Sequence, residues 1–384
     1  MKKNYWILAA AAVALAACSN DDTITVNQGI EDANTINFRA LTSNMTRAKD
    51  ASFSVAGDAF KVTAFPQGTT STAYFTGVEF KTADGSTFTS QSNKYYWPSG
   101  TNLDFYAWAP SDIENATYNS IPVTVATAAA NQIDFVYAAT KDWGKVALQT
   151  GTDATHAIGA TASSGVAINF RHALSKIVIK IKNSNDNLKI TASNATLKNV
   201  KGAGTFVFAD ANTDVKNSGL LSGGWSPSGD ATAVYSQDIT AAVFPATAAQ
   251  AGTDLKLIPQ ALVAGSAYAN AGTAAVGDVF TAPNFVVKLK IQNSADDNYI
   301  VGAASGENEY VDAMFPLPAV TWLPGKQYTY IIDLANGGYF TTNQDTSDDL
   351  DPILEGAEIK FVTVSVDDWD TTTDDTEVVA PANN

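Results

Sequence analysis

The chain has 384 residues, a formal net charge of −16 and 16% charged residues. This acidic balance argues against binding to nucleic acid and against electrostatic attachment to anionic lipid, because both need clustered lysine or arginine. With a single cysteine the chain cannot form an internal disulfide, so burial of apolar side chains must hold the fold. The length favours two domains over one.

The first residues carry the three parts of an export signal. Lys2 and Lys3 give a positive start, residues 7–15 are an apolar run too short to span a bilayer, and small residues follow. Cys18 comes directly after Leu-Ala-Ala, an arrangement that resembles the lipobox of bacterial lipoproteins. We therefore predict a signal peptide over residues 1–17 and a lipid on Cys18 that anchors the chain. The alternative is a secretory signal with an incidental cysteine.

A polar and acidic segment follows Cys18. Its first residues, Ser-Asn-Asp-Asp, are similar to the surface-export signals of Bacteroidetes lipoproteins, so the outer membrane at the cell surface is the predicted location. Residues 18–47 are predicted to be a tether that ends in a short, half-buried strand. The strand is indicated by Ile36, Phe38 and Ala40, which alternate with more polar neighbours.

Arg47-Ala48 lies in a polar stretch just after this strand. An exposed basic residue there is a site that a trypsin-like protease could cut, which would remove residues 18–47 as a propeptide. Two alternatives stay open. Arg47 can be an ordinary solvated loop charge, or the cut can fall after Arg39, where it would divide the strand.

Alternating apolar residues and frequent turn residues predict an all-β chain, and no window has the period of a long amphipathic helix. Gly, Ala, Ser and Thr dominate residues 150–165, so we place a boundary there between a β-sandwich at 48–160 and a second one at 161–384. The Pro-Ser-Gly turn after Trp97 predicts a hairpin into the strand around Trp108. Aromatic residues at this spacing indicate a core more than a sugar-binding platform.

The second half continues with strands that have one apolar face. Ile177, Ile179 and Ile181 face one way while Lys176, Lys180 and Lys182 face the other, as in a strand with one face in solvent. A Trp-Leu-Pro-Gly turn then leads into Tyr328 and Tyr330, which also alternate with more polar residues. These strands predict a second buried core in this half of the chain.

Several short motifs occur together along the chain. They are the lipobox, Thr46-Arg47-Ala48, Tyr95-Tyr96-Trp97-Pro98 followed by Leu-x-Phe-x-Ala-x-x-Pro, Phe170-x-His-Ala-Leu-Ser-Lys-Ile and Trp322-x-Pro-Gly-Lys-x-Tyr-Thr-Tyr. This combination resembles the fimbrillin family, the pilus subunits of Bacteroidetes. The resemblance implies two tandem transthyretin-like β-sandwich domains and a structural subunit of a surface pilus, or fimbrium, that supports adhesion.

The resemblance also implies a mode of assembly. A lipidated precursor, held at the outer membrane, is cut after an arginine by a trypsin-like protease and its N-terminal strand leaves. A strand from another copy, or from another pilin, then fills the groove by β-strand exchange.

The C-terminal segment, residues 359–369, is the candidate donor strand because it is rich in apolar residues and its valines alternate with polar ones. Those residues are Ile359, Phe361, Val362, Val364, Val366 and Trp369. The tail after it offers only Val378 and Val379 as large apolar side chains, so it would fill a groove poorly. The segment can also be a native closing strand. A stalk subunit needs it to swing out, whereas a tip or accessory subunit keeps it in place.

No catalytic residue, cofactor or metal is predicted. His156 and His172 have no cysteine near them, and the Gly-x-Ser-x-Gly motif is absent. Residues 345–377 hold twelve acidic residues against one lysine, but they lack the glycine and closing glutamate of an EF-hand, which favours a solvated loop. The alternative function is a monomeric surface lipoprotein that binds glycans through exposed tryptophan and tyrosine.

Overall fold

The computed structural model describes ten stretches of the chain. They are residues 35–40, 57–85, 87–144, 165–168, 170–208, 224–264, 281–336, 338–341, 352–354 and 362–369. The elements in these stretches are strands, with two short 3-10 turns at Ala129–Asn131 and Leu334–Asn336. This confirms the predicted all-β fold. A search of the same stretches for a helix of membrane-spanning length and hydropathy found none.

The first sheet has eight strands. They are β1 (Phe38–Ala40), β2 (Ala59–Pro66), β3 (Phe75–Thr82), β4 (Phe88–Ser90), β5 (Leu103–Ala109), β7 (Val136–Trp143), β8 (Val166–Ile168) and β9 (Arg171–His172). Their spatial order is β8-β1-β4-β3-β2-β5-β7-β9. All neighbours pair antiparallel except β1 and β8, which run parallel.

Two further sheets form from the second half of the chain. The five-stranded sheet contains β10 (Ser175–Lys182), β15 (Ala249–Gln250), β16 (Leu255–Leu257), β22 (Lys326–Asp333) and β24 (Thr363–Asp368). The six-stranded sheet contains β11 (Leu188–Val200), β14 (Ala233–Val243), β18 (Asn284–Asn293), β19 (Tyr299–Val301), β20 (Val311–Pro316) and β23 (Tyr339–Phe340). The buried faces of these two sheets meet in one cluster. Across it the rings of Phe285 and Tyr330 pack edge to face, with 5.5 Å between their centroids.

Two small sheets complete the architecture. One pairs β6 (Ile121–Thr124), β12 (Ala203–Phe206) and β13 (Trp225–Ser228), and the other pairs β17 (Ala261–Leu262) with β21 (Val320–Thr321). The first of them joins a strand from before residue 160 to strands from after it. The division of the chain into domains at residues 160 and 161 stays a prediction.

Apolar side chains form two buried clusters. The first core lies within the first sheet and contains Ile36, Phe38, Phe60, Val62, Ala64, Phe75, Val78, Phe80, Phe88, Leu103, Phe105, Ala107, Ala109, Val136, Ala138, Trp143, Val166, Ile168 and Phe170. The second core contains residues from every sheet and includes Ile177, Ile179, Ile181, Tyr328 and Tyr330, as their alternation predicted.

β5 contributes to both cores, since alternate residues of a strand point to opposite faces. Phe105 and Ala107 enter the first core, and Tyr106 and Trp108 enter the second. Every residue of β5 is buried. This explains why its sequence is a nearly continuous apolar run rather than an alternation of apolar and polar residues.

Because several tyrosines are buried, the free energy of unfolding is expected to depend on pH in the alkaline range. Burial raises the pKa of Tyr235 and of Tyr328 to about 12, and it also raises the pKa of Tyr330. The unfolded chain loses these phenolic protons near pH ~10, while the folded chain still holds them. The free energy of unfolding is therefore expected to fall as pH rises from about 10 to 12, and not below that range.

Urea unfolding at a series of pH values measures this effect. Replacing Tyr328 with phenylalanine removes one of the groups and should make the fall shallower. A free energy of unfolding that stays level from pH ~9 to ~12 would contradict the assignment.

Candidate functional site

The predicted N-terminal strand lies inside the first sheet rather than at its edge. The inserted segment, residues 35–40, contains β1, which pairs in parallel with β8 and antiparallel with β4. Upstream of β1, the Ile36 N–H donates a 2.7 Å hydrogen bond to the Tyr95 carbonyl. On the other side, the Val166 N–H donates to the Asn37 carbonyl at 2.8 Å. The segment therefore has backbone partners on both sides.

The apolar side chains of the inserted segment are fully covered. Ile36 is 1% exposed and Phe38 is 0% exposed. The Phe38 ring meets three other rings in edge-on contacts, with Phe80 at 4.6 Å, Phe105 at 5.1 Å and Phe60 at 6.0 Å between centroids. Edge-to-face contacts of this kind favour an aromatic side chain over an aliphatic one of similar area. Phe38 is thus held in an aromatic box.

Gly165 allows the inserted segment to approach β8 closely. A Cβ atom at this position would lie 2.9 Å from the Asn37 carbonyl oxygen, closer than real Cβ contacts allow. The residue also has a φ of +74°, which L-amino acids with a side chain rarely adopt. Only glycine meets both requirements at this side of the segment.

We call the space filled by residues 35–40 the slot. In the described sheet β8 stands at the end of the strand order and pairs only with β1. Without the inserted segment, β8 would lose that partner, and the rings around Phe38 would lose their cover. A slot with unpaired backbone groups and open apolar pockets can bind an extended strand, and this is the chemistry that the site supports.

The C-terminal segment, residues 359–369, lies in another sheet. Its described part forms β24, which pairs antiparallel with β22 from Lys326↔Asp368 to Ile331↔Thr363. Val362 is 3% exposed, Val364 is half-buried and Val366 is 40% exposed, so burial of the valine face fades along the strand. β24 is the last strand in the order of the five-stranded sheet.

Trp369 fastens the end of β24. It is 4% exposed, and its ring stacks on that of His172 with 4.0 Å between centroids and 5° between planes. His172 Nδ1 lies 2.9 Å from an oxygen of Asp134, which orients the imidazole. The backbone N–H of Trp369 also donates to the Gly325 carbonyl at 3.1 Å. Because His172 belongs to β9, this stack joins the C-terminal strand to the first sheet.

Other predicted site residues fall outside the described residues. These are the lipidation site Cys18, the processing site Arg47 and Ala48, and the first two apolar residues of the candidate donor, Ile359 and Phe361. Their roles stay predictions.

Reasoning from sequence missed two partners of the site. Neither the approach of Gly165 to residue 37 nor the stacking of His172 on Trp369 was expected. One signal was present, because Ile-Asn-Phe-Arg occurs twice, at residues 36–39 and at residues 168–171. Both copies supply a buried phenylalanine to the first core, and the strands that contain or precede them are neighbours.

Comparison with known proteins assigns the chain to a family. A profile of the fimbrillin-like family matches residues 46–369, which is most of the chain. The chain therefore belongs to the fimbrillin-like family, as its motifs indicated. It is a structural subunit of cell-surface fimbriae and not an enzyme. No curated protein matches it.

Several solved structures are similar along most of their length. A putative cell adhesion protein from Bacteroides ovatus is 15% identical, with 88% of this chain and 99% of that chain covered and a TM-score of 0.45. A putative cell adhesion protein from Bacteroides uniformis is 17% identical, with 87% and 98% covered and a TM-score of 0.43. The tip fimbrial protein Mfa3 from Porphyromonas gingivalis is 12% identical, with 87% and 98% covered and a TM-score of 0.39.

The described residues give little support to the alternative function, glycan binding through exposed aromatic side chains. Six of the seven tryptophans lie in the described stretches, and none of the six is exposed. Exposed aromatic residues there are tyrosines, namely Tyr74, Tyr96 and Tyr299. A search of the same stretches for three or more His, Cys, Asp or Glu side chains able to hold a metal ion found no such group.

Proposed function

We propose that this fimbrial subunit is exported as a lipoprotein, cut after Arg47 and assembled by exchange of its N-terminal strand. The observation that carries the proposal is the position of β1 between β8 and β4, with Phe38 at 0% exposure. A segment in that position can leave a stable sheet only if another strand takes over its hydrogen bonds and its apolar contacts. A strand from another subunit meets both needs.

The order of residues along the chain supports Arg47 as the cleavage site. Arg47 follows Ala40, the last residue of β1, by seven positions, so a cut after Arg47 leaves the whole strand on the removed side. A cut after Arg39 would divide β1 and leave part of it attached. The family match also begins at residue 46, next to Arg47.

The membrane attachment is supported by sequence. Leu-Ala-Ala before Cys18 predicts lipid attachment at its sulfur, which places the precursor at the outer membrane until residues 18–47 are removed. After processing, strand exchange with neighbouring subunits replaces the lipid as the attachment. The processed subunit then binds other copies of itself or other pilins. A trypsin-like protease acts between the lipid-anchored stage and the assembled stage.

Replacing Arg47 with alanine tests the pathway in cells. Subunits in surface fibres of the parent strain are expected to begin at Ala48. The variant should accumulate uncut protein that carries acyl chains on Cys18, and it should lose most of its fibres, because the inserted segment still fills the slot. Mass spectrometry of membrane extracts and electron microscopy of the same cells measure both outcomes.

Arg39→Ala is the matched control, since it removes the competing arginine and should leave the Ala48 start unchanged. Normal fibres from Arg47→Ala cells would contradict the cleavage site. Uncut protein at the outer membrane with an unmodified Cys18 would contradict the lipid anchor.

A further inference from the structure

The two ends of the inserted segment are held differently. At the N-terminal end, Thr35 forms an antiparallel bridge with Tyr96, and the Ile36 N–H donates to the Tyr95 carbonyl at 2.7 Å. Both residues of the segment are buried there, with Thr35 9% and Ile36 1% exposed. We call Tyr95 and Tyr96, which make these backbone contacts, the clip. Because backbone groups of neighbouring residues point to opposite sides of a strand, the clip holds this end from the side opposite β8.

The C-terminal end of the segment has described partners on the β8 side only. Residues 39–40 are in register with residues 167–168 of β8. On the other side, the described pairing between β1 and β4 stops at Phe38. The residue before β4 is Thr87, and its N–H donates to the Asp84 carboxylate at 3.1 Å. The backbone before β4 therefore turns to its own loop and not to the end of β1.

The clip is fixed by residues that remain in the processed subunit. The Tyr74 hydroxyl donates to the Tyr96 carbonyl at 2.8 Å. The Tyr95 ring packs on the Phe75 ring with 4.7 Å between centroids. All four residues follow residue 48, so the clip keeps these supports after residues 18–47 have left.

This asymmetry determines where the segment can begin to open. A strand opens first where the fewest contacts must break at once, and here that is the end held by β8 alone. Cleavage after Arg47 frees the chain on this same side, seven residues beyond Ala40. The end that proteolysis releases is thus also the end that the sheet holds less tightly.

We infer that the strand leaves the slot from Ala40 towards Thr35, that the clip is the last contact to break, and that Tyr74 is a positioning residue for this step. The inference rests on the cleavage and strand exchange proposed above and adds their direction. An incoming strand can occupy only the space that the departing strand has vacated. It therefore pairs first with the Ile168 end of β8 and reaches the clip last.

Hydrogen exchange at single amides tests the order of opening. In the chain from residue 19, cut after Arg47, the amide of Arg39 should exchange at least about tenfold faster than that of Ile36. Tyr74→Phe removes the hydroxyl that holds Tyr96, so it should speed exchange at Ile36 roughly three- to tenfold. It should leave Arg39 unchanged, because that amide opens while the clip is still closed.

Tyr299→Phe is the matched control. Tyr299 is 38% exposed, against 40% for Tyr74, and it lies on β19 of the six-stranded sheet. Its loss of a hydroxyl should alter exchange at neither amide of the segment. Exchange at Ile36 as fast as at Arg39 would overturn the direction. Equal acceleration of both amides by Tyr74→Phe would show that the segment opens as one unit, and no acceleration at Ile36 would remove Tyr74 from the clip.

A second measurement separates failure of this inference from failure of strand exchange. A fluorescent peptide of residues 33–42 is added to the same cut protein, where it competes with the retained propeptide. Uptake of the peptide without the expected difference between the two amides would overturn the order of opening and leave the exchange intact. Exclusion of the peptide would overturn the exchange itself, and the inference with it.

Discussion

Replacing Phe38 with alanine is expected to destabilise the uncut precursor by about 3–5 kcal/mol and to leave the assembled fibre unchanged. The first effect follows from burial, since the ring is 0% exposed and contacts three other rings. The second follows from processing, because a subunit that begins at Ala48 no longer contains residue 38. The same substitution should therefore act on one form of the protein and not on the other.

Phe60→Ala is the matched control for this prediction. Phe60 is 0% exposed, contacts Phe38 and stays in the processed subunit, so its loss should weaken both the precursor and the fibre. Urea unfolding measures the precursor, and resistance to heat in detergent measures the fibre. Fibres grown from the Phe38→Ala precursor that fall apart more easily than unaltered fibres would contradict the removal of the strand.

Replacing Trp369 with alanine is expected to cost about 3–5 kcal/mol and to loosen the C-terminal strand. The indole is 4% exposed and stacked on His172, and β24 has described partners only on its β22 side. Once the stack is gone, the backbone amides of β24 should open more often. Hydrogen exchange of residues 363–368, together with urea unfolding, measures both effects.

Val366→Ala is the control on the same strand. This side chain is 40% exposed, so its loss should change the free energy of unfolding by no more than about 0.5 kcal/mol. Equal effects of the two substitutions would contradict the anchoring role of Trp369.

The same two substitutions also test the position of the subunit in a fibre. If β24 leaves its sheet to act as a donor, Trp369→Ala should speed assembly, while an unchanged rate would assign the strand to its own subunit.

Local sequence patterns were sufficient to predict several strands. In β10, Ile177, Ile179 and Ile181 are buried and the lysines at 176, 180 and 182 are half-buried, as alternation predicts, although Val178 on the lysine face is also buried. In β22, the turn after Trp322 and the alternation that follows also predicted the strand. These elements depend on the period of neighbouring residues, which a single sequence contains.

The slot could not be predicted in the same way because its partners are far apart in the chain. β1 pairs with β8 across more than 120 residues, and no local period encodes that contact. The turn after Trp97 was expected to make a hairpin with the strand that follows. Instead, the residues before it turn to the inserted segment, where the Tyr95 carbonyl accepts the Ile36 N–H and Tyr96 pairs with Thr35. The tetrapeptide Ile-Asn-Phe-Arg, which occurs at residues 36–39 and 168–171, is a sequence signal that could have indicated this region.

Photo-crosslinking from position 88 tests strand exchange most directly, because Phe88 is the register partner of Phe38 across the slot. A diazirine-bearing phenylalanine analogue at this position reports which segment lies opposite, and mass spectrometry identifies the adduct. In the uncut precursor the adduct should join position 88 to residues 35–40 of the same chain. In purified fibres it should join position 88 to a strand of a neighbouring subunit. Adducts in fibres that still contain residues 35–40 of the same chain would contradict the exchange.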